Sequence, residues 1–318
     1  MQNVSLGEVM TPIRNVHFRG WRVSLKLEYV LPTGSYKDRG IAVCMTHLKA
    51  LGVKKISEDS SGNAGASTAA YAAAAGIQAG IYVPEGTSPA KLGQIAVYGA
   101  ELNEVAGTRS VSAKRAQDVP EGCRYIGHSW NPFFACGIKT IAYEIAEQTN
   151  WSPPDWIATP LGGGSLVLGL IDGFEELLSA GYIQKSPRIL AVQSEACAPI
   201  YRAWIRDSYD VKPVTPQSTY AEGVALPSPA RGSQILESIR RNNGIVAAVN
   251  DEDLLSSWKN MAHLGYLIEP TSAVAVAGAW QARQRNQIGQ GEDVLIVLTG
   301  NGLKTKPALL EGMISSKL

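Results

Sequence analysis

Residues 32–40 read Pro-Thr-Gly-Ser-Tyr-Lys-Asp-Arg-Gly, and this stretch sets Lys37 between a turn and a helical run. Pro32 and Gly34 favour the turn. The first turn of a helix lies at the positive end of the helix dipole, which disfavours an ammonium and favours the neutral amine. A neutral lysine amine can attack a carbonyl carbon and form a Schiff base. Lys37 is therefore a candidate nucleophile, although a single lysine after a Gly-Ser turn is far more often a solvated surface lysine.

The segments on either side of the turn have clear patterns. Apolar residues alternate with polar ones over residues 22–28, which predicts a half-buried strand leading into the turn. After the turn we predict a helix from Lys37 or Asp38 to Leu51. Ser35 is expected to cap the beginning of this helix, and Gly52 to end it.

Further along, short apolar runs alternate with helical patterns, which predicts a parallel α/β architecture with a ligand site at the carboxyl ends of the strands. An alanine-rich segment at residues 64–75 predicts a closely packed helix that ends at Gly76. Residues 210–232 contain four prolines and predict a long ordered loop. The predicted strands of this pattern are residues 77–83, 156–159, 189–193, 245–249 and 294–299.

Composition restricts the class of protein. A chain of 318 residues with 45% hydrophobic residues can form one large or two medium domains. Its 29 Lys and Arg residues balance 28 Asp and Glu residues, so its charge gives no reason to expect nucleic acid or a membrane surface as a partner. The four cysteines form no Cys-x-x-Cys pair, and we expect no metal site. With no secretory leader pattern at its beginning, the chain is expected to be cytoplasmic, with reduced thiols.

Three later segments share the chemistry of the lysine turn. They read Ser-Ser-Gly-Asn-Ala-Gly at residues 60–65, Pro-Leu-Gly-Gly-Gly-Ser at 160–165 and Leu-Thr-Gly-Asn-Gly-Leu at 298–303. Together with residues 32–40 they resemble, in order and over nearly the whole chain, the signature of fold type II pyridoxal phosphate (PLP) enzymes, and they look most similar to threonine synthase. The resemblance implies a homodimer of two parallel-sheet α/β domains, with PLP in the cleft between them. The large domain would comprise residues 1–44 and 138–318, and the small inserted domain residues 45–137.

Each segment can be given one part of PLP to hold. The glycine segment lies between a predicted strand and a predicted helix, so its backbone N–H groups can converge on the phosphate, although a simple strand-to-helix turn would have the same sequence. The resemblance implies that Lys37 binds the aldehyde and moves protons, that Asn63 binds the 3-hydroxyl and that Thr299 contacts the ring nitrogen. A neutral hydroxyl at that nitrogen suits elimination and replacement chemistry. The expected phosphate-binding residues are Gly162, Gly163, Gly164 and Ser165.

The substrate-binding residues are also implied by the resemblance. The segment around Asn63 would bind the α-carboxylate of a small amino acid at the beginning of a helix, although Ser and Asn also favour that position as ordinary caps. A second segment, residues 131–140, would bind the substrate side chain. The expected contacts are Ser60, Ser61, Gly62, Asn63, Ala64, Asn131, Phe134 and Lys139.

Residues 131–140 also depart from the pattern of threonine synthase. Phe134 stands where that family commonly has arginine, Ile138 where it has glutamine, and Ala64 where it has threonine. A guanidinium binds a phosphate through two hydrogen bonds, and each charge-assisted bond contributes about 1.5–3 kcal/mol. Lys139 could replace this contact only in part. We therefore expect O-phosphohomoserine, the phosphorylated substrate of that family, to bind poorly.

The sequence thus predicts a threonine synthase-like PLP-dependent lyase that eliminates or replaces a β- or γ-substituent of a small amino acid. Two alternatives stay open: a deaminating serine or threonine dehydratase, which needs no phosphate pocket, and a PLP-binding paralogue without turnover. Glu269, Asp38 and Arg39 are interpreted mainly as structural residues.

Overall fold

A computed structural model of the chain describes residues 3–87, 89–119 and 121–305. These residues form alternating strands and helices. The strands are β1 (Ile13–Phe18), β2 (Trp21–Lys26), β3 (Lys55–Glu58), β4 (Gln78–Pro84), β5 (Glu101–Val105), β6 (Cys123–Tyr125), β7 (Trp156–Pro160), β8 (Arg188–Ser194), β9 (Ile245–Val249) and β10 (Val294–Val297). The helices are α1 (Lys37–Ala50), α2 (Asn63–Ala75), α3 (Pro89–Val97), α4 (Arg109–Gln117), α5 (Pro132–Gln148), α6 (Ser165–Ser179), α7 (Pro199–Trp204), α8 (Gly232–Arg241), α9 (Asp251–His263) and α10 (Pro270–Gln284).

The chain divides into two compact units. Unit 1 comprises the described parts of Met1–Val9, Val30–Ile138 and Lys304–Leu318, and unit 2 comprises Met10–Tyr29 and Lys139–Leu303. The expected boundary between residues 44 and 45 differs from this division because it falls inside α1, a continuous helix that packs on α2 within unit 1. The boundary after Ile138 lies one residue from the expected one.

Unit 1 contains a four-stranded parallel sheet in the order β5-β4-β3-β6. The alanine-rich helix α2 is buried along most of its length, which small side chains permit because they allow a close approach of the helix backbone to its neighbours. It ends at Gly76, whose φ of +70° is the left-handed conformation that glycine adopts without strain. The sequence prediction for this helix and its end is confirmed.

Unit 2 contains a six-stranded sheet in the order β1-β2-β10-β7-β8-β9. Only β1 is antiparallel to its neighbour among these strands, so the carboxyl ends of β10 and β7 meet at one edge of the sheet. The buried helix α10 packs against β7 and β8. The predicted parallel α/β fold is confirmed.

Strands with continuous apolar runs lie within two residues of their predicted bounds, whereas β1, β3, β5 and β6 were not predicted. In β1, Ile-Arg-Asn-Val-His-Phe, apolar residues do not alternate strictly with polar ones. The sequences of the other three, Lys-Ile-Ser-Glu, Glu-Leu-Asn-Glu-Val and Cys-Arg-Tyr, are too short and polar to show a period. Residues 210–232 form the predicted loop, with one short 3-10 helix at Glu222–Val224 and the beginning of α8 at its last residue.

Three structural features bear on the class of protein. In the described part of the chain, no helix is long and apolar enough to cross a membrane. The same residues contain no cluster of three or more His, Cys, Asp or Glu side chains suited to a metal ion. The four cysteines are all free thiols.

Candidate active site

The turn before Lys37 is held by its own backbone and by Asp38. Gly34 has a φ of +77°, and its N–H donates to the Leu31 carbonyl at 2.7 Å. The Asp38 carboxylate accepts from the N–H and the hydroxyl of Thr33, at 2.7 and 2.5 Å. Burial raises the pKa of Asp38, and the Thr33 hydrogen bonds partly oppose that rise. This network sets Lys37 as the first residue of α1.

The predicted cap of α1 is wrong. The residue that precedes the helix is Tyr36, and no side chain caps it. Ser35 contributes its main-chain oxygen, which accepts from the Asp38 N–H at 3.3 Å. The Ser35 hydroxyl is fully buried and has no hydrogen-bond partner among the described residues. The reason is that Asp38 already satisfies the turn from inside the helix, which leaves the Ser35 side chain facing inward.

Two aromatic rings border the amine of Lys37. Its Nζ lies 4.8 Å from the ring centroid of Tyr36 and 5.3 Å from that of Phe134. Phe134 is fully buried, and a Cβ added at Gly40 would lie 2.3 Å from its ring. The structure therefore brings together two of the predicted site residues, and glycine at position 40 allows the Phe134 ring to lie directly against α1.

Helix α2 begins after a glycine. Gly62 stands at the cap position, and its N–H donates to the Ser60 hydroxyl at 3.4 Å. The Ser60 carbonyl lies so close to the helix that a Cβ at Gly65 would be 1.9 Å from it. Ser60 therefore contributes to the local structure of this segment, and the beginning of a helix is also where backbone N–H groups can bind an anion.

Asn63, the first residue of α2, has a partner that was not predicted from the sequence. The ammonium of Lys304 donates to Asn63 Oδ1 at 2.5 Å. Lys304 lies five positions after Thr299 in the chain, and that proximity is the only sequence signal that could have pointed to it.

Two polar side chains of residues 131–140, those of Asn131 and Lys139, have hydrogen-bond partners within their own units. Asn131 Oδ1 accepts from the Phe133 N–H at 2.9 Å, which stabilises the beginning of α5. A Cβ at Gly137 would lie 2.1 Å from the Arg39 carbonyl, so α5 and α1 pack closely there. In unit 2, Lys139 Nζ donates to Glu176 Oε1 at 2.5 Å. At least one donor of this predicted substrate-binding lysine is therefore engaged with α6.

In unit 2, the glycine segment follows β7 and leads into α6. Gly164 precedes the helix with a φ of +84°, and no side chain caps the helix. A Cβ at Gly164 would lie 2.2 Å from the Ile235 side chain, and one at Gly162 would lie 3.2 Å from the Gly223 carbonyl. The close packing and the positive φ both require glycine here, and the uncapped N–H groups suit an anion.

Arg231 lies beside this segment and was not predicted from the sequence. Its Nη2 donates to the Ser165 hydroxyl at 3.3 Å, while its Nε is buried without a hydrogen-bond partner among the described residues. Burial lowers the pKa of the Arg231 guanidinium, because desolvation disfavours the charged form. Arg231 is thus a half-buried cation with an unused hydrogen-bond donor, and it lies next to the beginning of α6. A phosphate group bound by residues 162–165 would fit both features.

Thr299 lies at the sheet edge that the glycine segment shares. Its hydroxyl is buried and lies 2.9 Å from the Ser272 hydroxyl, which also accepts from the Gly300 N–H at 3.0 Å. The carboxyl group of Glu269 covers Gly300. A Cβ added at Gly300 would lie 2.1 Å from the Cδ of Glu269. The position of Thr299 thus supplies a neutral hydroxyl at the carboxyl end of β10.

Comparisons with known proteins agree with these features. The family described as "Pyridoxal-phosphate dependent enzyme" matches residues 4–300. The chain is 32% identical over 315 residues to threonine synthase of Methanocaldococcus jannaschii, covering 96% of this chain and 78% of that protein. In fold it is similar to a threonine deaminase of T.th., with a TM-score of 0.79, 26% identity and 92% of both chains covered. It is also similar to an L-serine ammonia-lyase of Rhizomucor miehei, with a TM-score of 0.83, 23% identity and both chains covered in full.

Proposed function

The chain belongs to the pyridoxal-phosphate-dependent enzyme family, and from that premise we propose that it eliminates or replaces the β- or γ-substituent of a small, unphosphorylated amino acid. It is a PLP-dependent lyase similar to threonine synthase. The observation that carries the proposal is the apolar setting of the Lys37 amine, between the rings of Tyr36 and Phe134.

PLP, when bound, supplies an electron sink that weakens the bonds to the α-carbon of an amino acid. We assign Lys37 to its aldehyde, Asn63 to its ring oxygen and Thr299 to its ring nitrogen. The phosphate would be held by the backbone N–H groups of residues 162–165, with Ser165 and Arg231 as side-chain donors. The buried unused donor of Arg231 and the uncapped beginning of α6 support this assignment.

The residues around Lys37 suit the movement of a proton at its Nζ. The rings of Tyr36 and Phe134 border Nζ, so they restrict the directions from which it can accept or release a proton. The buried Phe134 ring also excludes water from that side of the amine. Thr299 adds no charge, and its neutral hydrogen bond favours elimination and replacement over reactions that need a protonated ring.

Residues 131–140 and the beginning of α2 support the proposed substrate class. The N–H groups at the beginning of α2 are our candidates for binding an α-carboxylate. Phe134 and Ile138 are both fully buried and offer no hydrogen bond to a phosphate on the substrate side chain. Serine and threonine need no such bond, which favours the deaminating alternative among the possible reactions.

A substrate screen tests the proposal. Release of ammonia, phosphate and 2-oxo acid should be measured with serine, threonine and O-phosphohomoserine, and kcat/KM compared. We expect O-phosphohomoserine to be at least about a hundredfold poorer, because about 3 kcal/mol of charge-assisted bonding is absent. Phosphate release with O-phosphohomoserine as the best substrate would instead identify threonine synthase activity, and the absence of turnover with all three would favour a PLP-binding paralogue.

We also propose that the enzyme works as a homodimer in the cytoplasm. The free thiols support a reducing compartment. Light scattering on the purified chain tests the oligomeric state, and a mass of 33.9 kDa, that of one chain, would contradict the dimer.

A further inference from the structure

Lys304 joins two parts of unit 1 that carry predicted site residues. It is the last residue of the 3-10 helix Gly302–Lys304. Its ammonium donates to Asn63 Oδ1 at 2.5 Å and to the Thr33 carbonyl at 3.2 Å. One cation therefore links the turn that precedes Lys37 to the first residue of α2.

The turn end of this link is itself rigid. Thr33 donates its N–H and its hydroxyl to the buried carboxylate of Asp38, at 2.7 and 2.5 Å. Asp38 lies next to Lys37 in α1. Because the Thr33 carbonyl is fixed by this network, the position of the Lys304 ammonium is fixed as well, and so is the oxygen of Asn63 that it contacts.

The chemistry of a carboxamide gives this contact a consequence. An ammonium has only donors, so the atom of Asn63 that faces Lys304 must be the oxygen. The amide can then not flip, and its Nδ2 must face away from Lys304. A group that faces Nδ2 can accept a hydrogen bond from it. If that group is an oxygen that can ionise, the hydrogen bond favours its ionised form over its protonated form.

We propose that Lys304 is a positioning residue, which acts through Asn63 by holding its amide with the N–H donor toward the ring oxygen of PLP. This inference rests on the proposed function, since it needs PLP beside Asn63. The Asn63 Nδ2 donor would hold the ring oxygen in its ionised form, and Lys304, 241 residues away in the sequence, would set the direction of that donor.

A merely structural role of Lys304 makes a different prediction. If its bond to Thr33 only stabilises unit 1, its removal has the same effect whether or not residue 63 is asparagine. If Lys304 acts through Asn63, its removal has little further effect once the amide is gone. A double-mutant cycle separates these two roles.

The experiment measures PLP affinity and the absorbance of bound PLP over a range of pH in the wild-type chain, Lys304→Met, Asn63→Ala and the double variant. We expect Lys304→Met to weaken PLP binding about tenfold, the effect of one charge-assisted hydrogen bond, and to shift absorbance toward the short-wavelength band of the protonated ring oxygen. In the Asn63→Ala background the same substitution should change the affinity by less than about twofold.

Asn63→Asp provides a second arm that does not depend on Lys304 being replaceable. It keeps an acceptor for the ammonium but lacks the Nδ2 donor, so it should produce the same spectral shift. Leu303→Ala, at an exposed position of the same 3-10 helix, is the matched control and should leave the spectrum unchanged.

Equal effects of Lys304→Met in both backgrounds, or an unchanged spectrum in Asn63→Asp, would overturn the role of Lys304. Wild-type protein that binds no PLP would instead refute the proposed function, so the two failures are distinguishable.

Discussion

The glycine segment at residues 160–165 and the helix beginning at residues 131–140 differ in whether large side chains fill the space around them. In the glycine segment, the positive φ of Gly164 and its contact with Ile235 leave no room for a side chain. In the second segment, the large ring of Phe134 fills the space that Gly40 leaves open. The first region keeps backbone N–H groups accessible for an anion, whereas the second replaces polar groups with packing. This difference is the basis of our proposal that the cofactor site is retained and the substrate site is altered.

The largest effect is expected in the glycine segment. Gly164→Ala should reduce the free energy of unfolding by about 3 kcal/mol, because it combines a left-handed backbone with overpacking against Ile235. It should also weaken PLP binding. Gly181→Ala is the control, since Gly181 has a φ of +76° but no neighbour within 4 Å, and it should cost only about 1 kcal/mol. If urea denaturation gave equal losses of unfolding free energy for Gly164→Ala and Gly181→Ala, the contact with Ile235 would contribute nothing to the cost.

In the second region, Gly40→Ala should cost about 2 kcal/mol, because its Cβ would overlap the Phe134 ring. When Phe134→Leu is added, the double variant should lose about 1 kcal/mol less unfolding free energy than the two single variants lose together. Gly93→Ala, at an open helical position of unit 1, should instead be neutral or slightly stabilising. Strict additivity of Gly40→Ala and Phe134→Leu would contradict the packing of this ring on α1.

A smaller effect is expected at the proposed phosphate site, which can be tested separately from the lysine that binds the aldehyde. Arg231→Gln should weaken binding of PLP about tenfold and leave binding of pyridoxal, which lacks the phosphate, unchanged. The control is Arg241→Gln, which removes only an exposed ion pair with Glu175. Equal weakening of both ligands by Arg231→Gln would show that Arg231 supports the fold and not the phosphate.

The smallest effect concerns the ion pair of Lys139. Hydrogen bonds from Lys139 and Tyr143 lower the pKa of Glu176. Because the folded pKa lies below the unfolded one, the pair contributes stability above the unfolded pKa and loses it as the pH falls through the folded pKa. Glu176→Gln should therefore cost about 0.5 kcal/mol at pH 7, a small effect because Glu176 is half exposed, and progressively less as the pH falls through the folded pKa. Urea midpoints measured at pH 7 and at successively lower pH test this, with the exposed Glu147→Gln as control.

The sequence predicted the parts of the molecule whose patterns are local. The apolar runs of β7 and β10, the glycine end of α2 and the strand-to-helix setting of the glycine segment follow from period and turn chemistry. The Ser35 cap was predicted wrongly because Asp38, which lies in the first turn of α1, competes for the same turn.

Arg231 and Lys304 could not be predicted because their roles depend on tertiary contacts. They reach partners 66 and 241 residues away, and neither lies in a periodic or motif-like segment that specifies its partner. Likewise, the replacement of arginine by Phe134 was visible in the sequence, but its packing on Gly40 was not.

The central claim is that Lys37 carries the cofactor, and borohydride reduction tests it most directly. Reduction of the PLP-loaded enzyme fixes the cofactor to the lysine that holds it, and mass mapping of the peptides then locates the adduct. We predict a single modified peptide, with the adduct on Lys37, and loss of the adduct in Lys37→Ala. An adduct on any other lysine of the wild-type chain would contradict the account.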